Sequence, residues 1–117
     1  LFRSGELLTA GIRTESAATN GSSLDGTAST SFGLTAVCIV TALASGSPTI
    51  KIQDSADNSS FADVTGASFG VVTASTNTLI STATGATVRR YVRVVTTGTF
   101  SGLSFVVAFI RHKTSTI

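Results

Sequence analysis

The sequence predicts an all-β protein: a single-domain antiparallel β-sandwich, jelly-roll-like, with an extended N-terminal arm. Three observations predict it. Apolar residues recur at every second position in several short runs, the period of a strand whose side chains alternate between faces. Clusters of Gly, Ser, Asn and Asp interrupt these runs at strand-length intervals, and the chain has a single Pro. Roughly a third of the residues are Ser or Thr, and β-branched Thr suits a pleated, half-buried surface. No run offers more than a turn or two of helix.

Taken in order, Leu1–Arg13 is a weakly patterned arm. Gly5 and Gly11 bracket Glu6–Ala10 too closely for a stable helix, so an extended segment that docks on a neighbour is expected. The β-sandwich domain is placed at residues 14–112. Thr14–Ser31 is polar, with turns expected at Asn20-Gly21 and Asp25-Gly26. It has room for one or two short strands and a surface loop.

Phe32–Ala44 is the first strong strand, with Leu34, Ala36, Cys38 and Val40 on one face and Val37, Ile39 and Leu43 on the other. Ser45-Gly46-Ser47-Pro48 reads as a turn, and because Pro cannot donate to a ladder the next strand starts after it. Ile50 and Ile52 then point inward, Lys51 and Gln53 outward. Asp54–Ser60 is a polar loop, and Phe61–Val64 returns the chain to the core. Ala67–Thr73 is a short strand and Leu79–Thr82 a short edge strand.

Gly85–His112 is read as one long hairpin around which the rest is organised. Its strands are Thr87–Thr97 and Leu103–Arg111, joined by a turn at Gly98–Gly102. Leu103, Phe105, Val107 and Phe109 share one face. Ser104, Val106, Ala108 and Ile110 make the opposite face largely apolar as well, so this strand belongs inside a sandwich or against a neighbouring subunit. Residues 113–117 form a tail that leaves the body.

Composition narrows the class. At 117 residues and 11.8 kDa the chain makes one domain with a modest core. Only 12% of residues are charged against 42% hydrophobic, about half the usual ~25% charged share. Such a surface is expected to be covered by copies of the chain or by a partner, the alternative being a Ser/Thr-coated monomer. The net charge of +2 is unevenly spread. Residues 1–63 hold Arg3, Arg13 and Lys51 against six carboxylates, net −3, whereas residues 64–117 hold Arg89, Arg90, Arg93, Arg111 and Lys113 and no acid, net +5. The two halves can pair between copies, which fixes register, or within one subunit.

The lone Cys38 excludes an internal disulfide and a Cys-based zinc site. Mid-strand, it reads as a buried, inert thiol. No basic start with an apolar run and a cleavage site is visible, and the chain as given begins at Leu1, processed or without its natural start. The longest apolar run, Phe105–Ile110, is far short of the ~20 residues of a spanning helix. No membrane is expected.

Four patterns resemble chemistry and fall short of it. Gly66-Ala67-Ser68-Phe69-Gly70 matches G-x-S-x-G, but a strand follows where a helix is needed, and no Asp or Glu comes after Ser68. His112 has neither an orienting partner for a general base nor companion zinc ligands. Asp54, Asp57, Asn58 and Asp63 miss the spacing of a calcium loop and fit Asx-turn chemistry. Arg89, Arg90, Arg93 and Tyr91 are split between strand faces, with Arg90 opposite the others, and lack the aromatics of a single-strand binder. No nucleic-acid partner is expected; one Arg instead packs its stem on the sheet and pairs its head with a carboxylate. No catalytic, cofactor-binding or metal-binding residue is therefore assigned, no cofactor is expected, and the chain is read as not an enzyme.

Two stretches carry a family likeness. KIQDSADNSSFADVTGA, then VRRYVRVVTTGTFSGLSFVVAFIRH, resemble small virion proteins of tailed bacteriophages. The matching residues are Lys51, Ile52, Gln53, Ser55, Asp57, Phe61, Asp63 and Val64, then Arg90, Tyr91, Val92, Arg93 and Val94; Leu24-Asp25-Gly26 and the LTAVCIV strand also fit. Phe61 stands where an aromatic, often Trp, is usual, and the likeness covers residues 20–112. It implies a virion structural protein, either head decoration (cement) or a head–tail or tail component, without choosing between them. The leading expectation is a capsid decoration protein on the capsid surface, assembled in the host cytoplasm. On that expectation the partner is the major capsid protein (tail or connector proteins in the alternative), with the chain itself a homo-oligomer, trimer or dimer. A tail or head–tail connector component is the alternative within the resemblance. A carbohydrate-binding adhesion module is the alternative outside it, and would need exposed aromatics on a concave face.

Overall fold

Strands form where the two-residue apolar period is strongest. The structure, a computed structural model, describes residues 5–26, 29–82 and 85–112, and side chains within 13–110 of these. Its strands are β1 (Gly5–Glu15), β2 (Leu24–Asp25), β3 (Leu34–Ala42), β4 (Ser45–Gly46), β5 (Thr49–Ser55), β6 (Ala62–Val71), β7 (Thr76–Ser81), β8 (Tyr91–Thr97), β9 (Phe100–Ser101) and β10 (Leu103–His112). A front sheet runs β1-β10-β3-β7 and a back sheet β2-β8-β5-β6, with β4 and β9 forming a small ribbon. Every paired neighbour is antiparallel. The result is an all-β sandwich.

The inward faces are those the periodicity marks. Leu34, Ala36, Cys38 and Val40 of β3 and Leu103, Phe105, Val107 and Phe109 of β10 face Ile50 and Ile52 of β5 and Val92 and Val94 of β8, all nearly inaccessible. Each large side chain buried there contributes about 1.5–3 kcal/mol. β6 supplies Val64, Ala67 and Phe69 and bulges against β5, where Lys51 pairs with Ser68 but Gln53 with Asp63. Gly66, at a φ of 81°, takes the left-handed backbone that this bulge needs.

The pairings nest. β5 pairs with β6, β3 with β7, β2 with β8 and β1 with β10, and successive pairs fall alternately in the back and front sheets. The chain is thus one long antiparallel ribbon, its innermost turn at residues 56–60, wrapped so that β8 meets β5 and β10 meets β3.

Three expectations are corrected by this wrapping. The Gly85–His112 stretch is not a hairpin: β8 lies in the back sheet and β10 in the front, and residues 98–102 cross between them, with β9 pairing to β4. Both strands are apolar inward, and opposite sheets let both faces meet one core. The arm expected at Leu1–Arg13 is, from Gly5 on, the outer strand β1 on β10, because the free edge of β10 needs backbone partners. Asn20-Gly21 and Asp25-Gly26 are not turns either. Asn20 bridges Val95, the Gly21 amide donates to the Val94 carbonyl, and the Gly26 amide donates to that of Arg90, so the segment runs alongside β8. In the same way the Ser45–Pro48 turn includes β4, and the Phe61–Val64 and Ala67–Thr73 segments are joined in β6. The tail at 113–117 lies outside the described residues.

Candidate functional site

The two outer faces differ in chemistry. On the front sheet, Val106, Ala108 and Ile110 of β10, Val37 and Ile39 of β3 and Leu79 of β7 point away from the core. The register places Ala108, Val37 and Leu79 in one cross-strand row and Val106 beside Ile39 in the next. Leu79 is 72% exposed and Ile39 38%, while the others are half-buried. The remaining described outward positions there, Thr14, Thr35, Thr41, Asn77, Ser81 and Ser104, carry no charge. A hydroxyl contact at 2.9 Å joins Thr35 to Ser81.

The back sheet carries the ions. Lys51 Nζ donates to Asp63 Oδ2 at 3.1 Å, Gln53 Nε2 donates to Asp63 Oδ1 at 2.8 Å, and Arg93 Nε and Nη2 both donate to Gln53 Oε1 at 3.0 and 2.8 Å. Gln53 first and Lys51 second hold the Asp63 carboxyl below its ordinary range. The Arg93 guanidinium lies over the Phe61 ring, 4.0 Å from its centroid. Beside it is a concavity of about 290 Å³ lined by Gly21, Ser23, Asn58, Phe61 and Arg93. Arg90 grips Asp25 with two hydrogen bonds, 2.7 and 2.9 Å long, and lies over Tyr91.

At one sandwich edge Arg13 and Glu15 of β1 pair with each other. Arg13 Nη1 reaches the Val94 carbonyl at 2.8 Å, and the buried Thr96 hydroxyl donates to Glu15 Oε1 at 2.6 Å. Arg13 also stacks on Phe105. This polar clasp ties β1 of the front sheet to β8 of the back sheet.

The residues singled out by sequence are dispersed. Ser68 is exposed on β6, and its hydroxyl accepts the Gly70 amide at 3.1 Å within a continuing strand. His112 ends β10, its side chain outside the described set. Asp54 is buried, accepting the Arg89 amide and guanidinium at 2.8–3.0 Å, and the pair lines a cavity of about 470 Å³ with Asp63, Thr65 and Thr87. Asp57 instead organises its own loop, and among the described residues no three His, Cys, Asp or Glu side chains gather. Arg90 does not take the face opposite Tyr91, because β8 begins only at Tyr91 and the two-residue parity does not reach back. Arg89 and Arg90 pair with carboxylates from the acidic half of the same subunit.

Sequence reasoning missed the Arg93–Gln53–Asp63–Lys51 chain. The alternation of Lys51 and Gln53 was visible, but their register against Arg93 and Asp63 was not. No protein-family model and no curated protein matches the sequence.

Proposed function

We propose that the chain is a bacteriophage virion structural protein, a capsid decoration (cement) protein that binds and stabilises the assembled lattice of the major capsid protein. One observation carries the reading: an apolar outer sheet face, without a described charge, built on the strand at the centre of the fold. Contiguous apolar surface of this kind marks an interaction face. The likeness of the Lys51–Val64 and Arg90–Val94 stretches to phage virion proteins supports the setting. Strand orders β1-β10-β3-β7 and β2-β8-β5-β6 are what an eight-stranded jelly roll with two Greek keys would give, which supports that finer fold reading.

A ligand that binds the assembled shell better than separated subunits turns its binding free energy into shell stability. The front face meets the capsid surface or a second copy of the chain, and desolvation of Val37, Ile39 and Leu79 supplies the driving force at about 25 cal/mol per Å².

Attachment to intact particles tests this. The labelled protein is expected over the whole shell, and Val37→Lys with Leu79→Lys is expected to weaken occupancy at least about tenfold while leaving the fold intact, since both side chains point outward. Occupancy unchanged in the double variant would remove the face from the mechanism. A small ring of label at one vertex would move the protein to a tail or connector role. No attachment to any shell or tail would end the reading.

A further inference from the structure

Five described cations have known surroundings, and four of them meet a carboxylate: Arg13 with Glu15, Lys51 with Asp63, Arg89 with Asp54 and Arg90 with Asp25. Arg93 does not. Its partner is the neutral amide oxygen of Gln53, and that amide is turned to it because Asp63, held by Lys51, takes the amide's own N–H. Stacking on Phe61 fixes the plane of the guanidinium. Gln53 takes the Nε–Nη2 edge, and Nη1 makes no hydrogen bond to a described residue. A planar cation fixed in this way, beside a concavity containing Ser23 and Asn58, is preorganised for a planar anion.

We infer that Arg93, with Ser23 and Asn58, forms a socket for a carboxylate side chain, Glu or Asp, presented by a partner protein. A carboxylate oxygen pair matches Nη1 and the second N–H of Nη2, and hydroxyl and amide donors complete the shell. An acidic sugar fits less well. Phe61, the single aromatic of the lining, already carries the guanidinium on its ring, so a pyranose lacks a stacking platform. The assignment of the partner as a protein rests on the decoration reading. Together the two faces make a bridging module, one side apolar and the other ionic.

The test titrates the ¹⁵N-labelled full chain with N-acetyl-glutamyl methylamide, its glutaminyl analogue and glucuronate, following the Arg93 side-chain Nε resonance and the amides of Ser23 and Asn58. Saturable shifts with the glutamyl probe alone are expected, weakened about tenfold in Arg93→Gln and in Arg93→Lys, which keeps charge but loses the fork. Unmoved core amides would confirm that the variants fold; if they do not, Ser23→Ala, expected to weaken the probe about threefold, substitutes. Equal shifts with the glutaminyl analogue, stronger ones with glucuronate, or no saturation would overturn the socket. Binding of the probe by a protein that attaches to no virion would leave the socket standing and remove the decoration reading. Attachment to shells unaffected by Arg93→Gln, with no probe binding, would do the reverse.

Discussion

Asp57 gathers the innermost turn of the ribbon around one oxygen. Its Oδ1 accepts the amides of Ser59 and Ser60 at 2.9 and 3.0 Å and the Ser55 hydroxyl at 2.9 Å, while Asn58 takes a φ of 62°. The Ser60 amide, then those of Ser59 and the Ser55 hydroxyl, hold its pKa down to about 2 from 3.8. A carboxyl more acidic in the folded than in the unfolded chain stabilises fully above its unfolded value and loses that contribution as pH falls through the folded one. The urea midpoint is therefore expected to drop between about pH 4 and pH 2, and Asp57→Asn to flatten that drop. A midpoint independent of pH in the parent protein would contradict this. Cys38 shifts the other way: burial pushes its thiol up to about 11. Little thiolate exists at neutral pH, so iodoacetamide is expected to modify Cys38 only on unfolding. At Thr30 the buried hydroxyl has no partner among the described residues. Thr30→Val is expected to stabilise by about 1 kcal/mol, read as a raised thermal midpoint.

At the scale of elements, β1 is held by its ladder to β10 and by the Arg13–Glu15–Thr96 clasp. Its removal strips the partner from β10 and turns that long, apolar strand into an unprotected edge of the front sheet. Deleting residues 1–13 is thus expected to cost folding stability and to promote association, seen by light scattering, and not merely to weaken attachment. The segment crossing the clasp is equally constrained. A Cβ on Gly21 would lie 2.5 Å from both Arg13 Nη1 and the Val94 carbonyl. Gly21→Ala is expected to destabilise by about 1–3 kcal/mol in chemical denaturation. A neutral result would mean that the 19–22 backbone shifts off the Val94 carbonyl, and Arg13 with it, without loss, and that the close approach contributes little.

For the whole molecule, the consequence of the wrapped ribbon is two unlike faces. Ionic surface pairs such as Arg90–Asp25, both partners more than 40% exposed, contribute little stability. Their place on the back sheet keeps that face hydrated while the front face stays apolar. Association driven by the front face is expected to persist at about 0.5 M NaCl, because desolvation of apolar area is not screened by salt. Association that collapses at that ionic strength would locate the main contact on the back sheet.

Sequence alone determined the strand class, the inward parity of Leu34–Val40, Ile50–Ile52 and Leu103–Phe109, and the burial of Cys38, since alternation is a local property that any sheet must respect. Which strands are neighbours was decided only in three dimensions. Residues 98–102 could close a hairpin or cross between sheets with the same Gly-rich chemistry, and only the shared core of β8 and β10 selects the crossing. The Asn20-Gly21 pair looks like a turn until Val94 and Arg13 approach it from β8 and β1. The Arg93 socket was hidden for the same reason: Arg93, Ser23 and Asn58 lie on three segments far apart in sequence, brought together only by the packed sandwich.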